Sequence, residues 1–141
     1  SAQRVFEAAN QLAGEPFFAH TQLTQLSGGQ SRALMIADTA LLSWSPVLLI
    51  DEIENAGVDK RKALDLLLAS DKIIVMATHD PVLALAADRR LVFEQGAVAA
   101  VLARTPAEDA LLARLMDMER QWSDVREALR KGADMAAWAE G

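Results

Sequence analysis

The sequence predicts an α/β layered fold with mainly parallel strands, preceded by helices and closed by a C-terminal helix. Three observations carry this. Val47-Leu48-Leu49-Ile50 and the stretch Lys72 to Ala77 are short, continuous apolar runs, each ending in polar residues at its carboxyl side. Such runs typify strands buried on both faces of a parallel sheet. A helix-compatible stretch separates them, and strands alternating with helices of this length build layered α/β folds.

Residues 2–13 read as a helix, with Val5, Phe6, Ala9 and Leu12 on one face and Gly14 as a stop before Pro16. Residues 15–25 read as irregular and lead into Leu26-Ser27-Gly28-Gly29-Gln30. A second helix is expected from about Gln30 to Leu42, broken by Ser43-Trp44-Ser45-Pro46. Asp59 can cap a helix over residues 60–69, and Asp80-Pro81 can start one over about 81–88. Leu91-Val92-Phe93 and Ala97 to Leu102 flank Gln95-Gly96, the pattern of a β-hairpin. After Thr105-Pro106, residues 107–131 predict a long helix with Leu111, Leu115, Met118, Trp122, Val125 and Leu129 spaced alternately by four and three. That period suits an amphipathic helix folded back on its own domain, or a seam for dimerisation or partner docking. Residues 132–141 read as a frayed end.

The 141 residues suffice for one domain with a sizeable core, and 52% hydrophobic with 24% charged residues is ordinary for a globular chain. A net charge of −6 argues against a nucleic-acid surface driven by bulk electrostatics. With no cysteine, disulfide and thiolate chemistry are excluded, and the cytosol is the expected compartment. No apolar run reaches the about 20 residues that span a bilayer, so any membrane connection is expected to run through a partner.

Chemistry is expected at three places. The two glycines of Ser27-Gly28-Gly29-Gln30 leave the backbone open to close approach, and a turn opening a helix offers free N–H groups and a positive dipole end to a phosphate. Asp51 and Glu52 sit at the carboxyl end of a buried strand, where α/β folds place their ligands. One carboxylate can hold a hydrated Mg²⁺ while the other orients or deprotonates water; solvated carboxylates at a strand end are the plainer alternative. His79 closes the next strand between Thr78 and Asp80, and a parallel pairing would bring it to the same edge as Asp51 and Glu52. A histidine there can hydrogen-bond a transferring phosphoryl group or the attacking water.

In this order and spacing, Leu26–Gln30, Val47–Glu52 and Ala77-Thr78-His79-Asp80 resemble the ATP-binding cassette (ABC) ATPases, over roughly residues 2–103. Residues 26–30 match the family's signature motif, 47–52 its Walker B strand with the catalytic glutamate, 54–59 its D-loop region, and His79 its switch histidine. The resemblance implies a partial P-loop NTPase-type fold, with 1–104 as the C-terminal portion of an ABC ATPase domain and 105–141 as a helical extension. Within the first part, 1–42 would be helical subdomain and signature helix, and 43–104 core strands and helices. It implies ATP and Mg²⁺ as cofactors. Asp51 would hold Mg²⁺ through water, Glu52 would polarise the attacking water, and His79 would contact the γ-phosphate. Ser27, Gly28, Gly29 and Gln30 would meet ATP bound to an opposing subunit, with Asp59 at the dimer contact. Implied partners are a second nucleotide-binding subunit and membrane permease subunits, with no nucleic acid contacted directly. The chain would lie on the cytoplasmic face of the cell membrane without spanning it.

The sequence also departs from the family's pattern. No G-x-x-x-x-G-K-[ST] phosphate loop is present, none of Lys60, Lys62, Lys72 and Lys131 follows a glycine, and the Q-loop glutamine has no counterpart. The chain therefore reads as the C-terminal portion of a cassette, as a cut-down protein, a proteolytic product or a split subunit, and is expected to be inactive alone. Ile53 and Glu54 replace the common proline and threonine, and Asp51-Glu52-Ile53 is closer to the chromosome-maintenance and recombination ATPases of the superfamily. A soluble ATPase acting on DNA or protein complexes, or a non-hydrolysing regulatory or docking module, are the alternatives to a transporter ATPase.

Overall fold

A computed structural model describes residues 1–55 and 57–140. It is a mixed helix and strand structure with a parallel sheet, as expected. The chain divides into two compact units, Ser1–Asp80 and Pro81–Gly141.

In the first unit, α1 (Ala2–Leu12) buries Val5, Ala9 and Leu12. α2 (Gly28–Leu41) buries Ala33, Ile36, Ala37 and Ala40, and the two helices pack face to face. α2 starts two residues before the expected Gln30. Ser27 Oγ accepts from the Gln30 amide while Gln30 Oε1 accepts from the Ser27 amide, and this reciprocal cap moves the helix start back to Gly28. α3 (Lys60–Ala69) keeps its expected bounds because the Asp59 carboxylate accepts from the amides of Arg61 and Lys62. β1 (Val47–Asp51) and β2 (Ile73–Ala77) pair in parallel, with Asp51 opposite Ala77.

Burial on both strand faces is not observed. Leu48 is buried, whereas Leu49 is 80% exposed and Val47, Ile73 and Val75 are exposed as well. Side chains alternate across a strand, so one face carries the core and the other is open among the described residues. Among the described residues no third strand pairs with β1 or β2.

In the second unit, α4 (Pro81–Ala86) precedes the antiparallel pair β3 (Arg89–Glu94) and β4 (Ala97–Ala103). The hairpin is longer than expected at its start, and Gln95 (φ 51°) and Gly96 (φ 79°) turn it in the left-handed region, the requirement of a tight hairpin turn. α5 (Pro106–Arg130) begins with a second reciprocal cap, between Thr105 and Glu108, and packs on α4. Leu111, Met118, Trp122 and Leu129 of its expected seam are exposed. The end expected to fray forms one short helical turn, α6 (Ala136–Ala139). Among the described residues no helix is long and apolar enough to cross a membrane.

Candidate functional site

The β1–β2 register brings two of the expected chemical groups together at the carboxyl edge of the sheet. Asp51 ends β1, and the Glu52 amide donates to Ala77 O (2.9 Å) just beyond the last paired residues. Glu52 adopts φ 44°, a left-handed conformation uncommon for a residue with a side chain. Strand alternation therefore stops at Asp51. The Glu52 carboxylate comes within 3.9 Å of His79 Nδ1, and both side chains are more than half exposed. Asp51 is exposed too.

Long-range contacts that the sequence pattern did not reveal hold this edge. Arg32 Nη2, from α2, donates to Asp51 O (2.7 Å). Glu54 Oε1 accepts from Thr78 Oγ1 (2.6 Å) and from the His79 amide (3.2 Å), and lies 3.4 Å from His79 Nδ1. Burial pushes the Glu54 carboxyl up, but the Thr78 hydroxyl, the backbone amides and the His79 ring together outweigh it and hold it below its usual value. Lys60 Nζ, at the start of α3, pairs with the Asp80 carboxylate at 2.5 Å, and the Asp80 amide donates to Thr78 Oγ1 (3.0 Å). Ile53 is fully buried directly before Glu54, anchoring the short 3₁₀ turn Ile53–Asn55 from which Glu54 reaches out.

Ser27–Gln30 forms a separate surface. Ser27 Oγ serves as an acceptor for the cap, so its hydroxyl proton stays available. Gln30 Nε2 donates to Glu15 O (3.1 Å) and Pro16 O (3.2 Å); this side chain braces the turn. The first helical amides, those of Gly28 and Gly29, have no intrahelical acceptor. A Cβ built on Gly28 would meet nothing within 4 Å. The turn is open to another molecule, and amides at a helix start suit a phosphate.

The residues present fit the implied cofactor chemistry. Mg²⁺ typically takes one or two carboxylates, substrate phosphates and retained waters, and Asp51 offers an exposed carboxylate at the sheet edge. No group of three or more potential ligands occurs among the described residues. Three of the four lysines are committed elsewhere: Lys60 to Asp80, Lys72 to Ser43 O and Ser45 O, and Lys131 to Glu127. The expected D-loop, 54–59, includes Ala56, which lies outside the described residues. Of the remainder, Asp59 caps α3, and Gly57 (φ 66°) approaches Gly29, where a Cβ would stand 3.5 Å from the Gly29 Cα.

No family model matches the chain. Over 128 residues, 91% of its length, the chain is 47% identical to an uncharacterised ABC transporter ATP-binding protein of Methanocaldococcus jannaschii. The match covers 49% of that protein, so the chain spans about half the length of the curated relative it matches. This similarity bears out the resemblance to the ABC ATPases.

Proposed function

We propose that this ABC-ATPase-type chain supplies one catalytic edge and one signature surface to a dimeric ATPase that powers a transporter from the cytoplasmic side of a membrane. The observation that carries the reading is the meeting of Glu52 and His79 beside Asp51 at the end of a parallel strand pair. Bound Mg²⁺–ATP would supply the transferable γ-phosphoryl group and neutralise the charge developing on it. Asp51 would hold the hydrated cation. Glu52 would accept a proton from the attacking water, and His79 would hydrogen-bond the γ-phosphate oxygens. In a head-to-tail pair, Ser27 and the Gly28 and Gly29 amides meet the nucleotide of the opposing subunit, with Gln30 bracing them and Asp59 near the dimer contact. Residues 1–104 then form the ATPase portion and 105–141 a helical extension.

Transport is preferred because the relative's name is that of a transporter ATP-binding protein. Permease subunits are the corresponding partners. The second reading is a soluble ATPase that remodels DNA or protein complexes. It is favoured by the buried Ile53 and the Glu54 contacts, which stand where transporter ATPases commonly carry proline and threonine.

Glu52→Gln tests the reading. In the intact ATPase, hydrolysis should fall by about 10²- to 10⁴-fold, the range for a general base, with ATP binding kept. Full hydrolysis by the variant would remove Glu52 from the role.

A further inference from the structure

The carboxylate of Glu54 has no role in the catalytic edge proposed above, although it touches both Thr78 and His79. Its side chain is 8% exposed, and a carboxylate is rarely buried without partners that need it. The partners are three atoms of one turn: the Thr78 hydroxyl, the His79 amide and the His79 Nδ1 edge. Thr78 Oγ1 also accepts from the Asp80 amide, so one carboxylate oxygen organises the whole Thr78–Asp80 segment. His79 itself is 69% exposed. Ring packing does not fix it, and its orientation must come from polar contacts.

We propose that Glu54 is the positioning residue of the histidine turn: it keeps the Nδ1 proton of His79 directed at its own carboxylate, 3.4 Å away, and presents Nε2 to whatever occupies the site. The same logic orients other functional histidines, where the partner of one ring nitrogen fixes the tautomer and frees the other nitrogen for chemistry. Glu54 contacts no reacting atom; it acts through Thr78 and His79. The consequence for catalysis rests on the ATPase reading, whereas the consequence for the ring does not.

The chain has two histidines, His20 and His79, and His20 is exposed, 5.6 Å from the Phe18 ring centre to centre. It serves as an internal reference. Nitrogen-15 spectra of the 141-residue chain, taken well above the ordinary histidine titration range, should show His79 with a protonated Nδ1 and a bare Nε2, distinct from the mixture at His20. Glu54→Ala should relax His79 to the His20 pattern, and Glu54→Gln, whose amide oxygen can still accept, should restore it. A wild-type His79 that already matches His20 overturns the proposal with no variant needed. So does a folded Glu54→Ala chain with unchanged ring signals, or a Glu54→Gln chain that restores nothing. In the intact ATPase, Glu54→Ala should lower kcat by about 10- to 100-fold, the range for groups that orient another functional side chain, with KM for ATP unchanged. Absence of wild-type hydrolysis would sink the ATPase reading and leave the ring result standing; unaltered kcat with a relaxed ring would overturn the positioning role.

Discussion

The turn at Ser27–Gln30 and the turn at Thr78–Asp80 both carry motif residues, yet opposite means hold them. The first is closed almost wholly by itself. Ser27 and Gln30 satisfy each other's amides, the Gln30 side chain reaches away to Glu15 and Pro16, and Gly57 comes close to Gly29. Its outer side is open, with nothing near a Cβ on Gly28. The second is gripped from outside by Glu54 and Lys60, which lie 24 and 20 residues earlier. A surface that waits for a partner can be made from local caps. The histidine turn, which the proposed function aims at a reacting phosphoryl group, is instead fixed by distant side chains, whose placement depends on the fold being complete.

The sharpest way to break this contrast is to cut the outer grip. Asp80→Ala removes the carboxylate that Lys60 meets across the end of β2, where the two side chains are only 14% and 22% exposed. We expect a loss of about 2–3 kcal/mol, since a partly buried ammonium loses its charged partner. The urea midpoint followed by circular dichroism reads it. Ser27→Ala removes only a cap and should cost about 1 kcal/mol. If Ser27→Ala proved the more damaging, the signature turn would not be the self-contained element described.

The same contrast explains what was legible in the sequence. Asp59 before α3 and Gln95-Gly96 act within a few residues of themselves, so pattern alone located the elements they start or turn, whereas the reciprocal caps at Ser27 and Thr105 set helix starts one or two residues earlier than the apolar pattern did. The parallel pairing that brings His79 to Glu52 was also foreseeable, because two apolar runs with polar carboxyl ends admit few arrangements. Arg32 on the Asp51 carbonyl and Glu54 on Thr78 were not, since 19 and 24 residues separate the partners and no periodicity encodes such a meeting. The open face of β1 and β2 escaped for a related reason. Leu49 and Val75 are as apolar as residues of a covered strand, and composition alone cannot say whether a cover is present.

A smaller effect comes from acid. The Glu54 carboxyl is held below its usual value of 4.5 in the folded chain. A depressed carboxyl stabilises the fold in full above the unfolded value, and that contribution is lost as pH falls through the folded value. Glu54→Gln does not titrate there. The wild type should therefore be more stable than Glu54→Gln at neutral pH, and the gap should close as pH falls below about 4.5. Denaturation midpoints of the two proteins across pH 3 to 7 (roughly the carboxylate range) measure it. A gap independent of pH would mean that shape, not charge, makes Glu54 useful to the turn.

Gly28→Ala should produce the smallest change in stability and the most telling one in function. Within the chain the added methyl meets nothing, and alanine in place of glycine inside a helix is favourable, by about 0.5 kcal/mol. The fold gives no reason for a glycine at this position. If the turn exists to let another subunit's nucleotide approach its amides, the methyl intrudes only when that partner arrives. The variant chain should then melt at the same temperature or slightly higher, while ATP-dependent pairing of the intact ATPase weakens in analytical ultracentrifugation. Pairing that survives unchanged would mean that no partner comes close to Gly28. A destabilised variant would mean that the glycine serves the fold of its own chain, and the distinction between an open turn and a gripped one would fall with it.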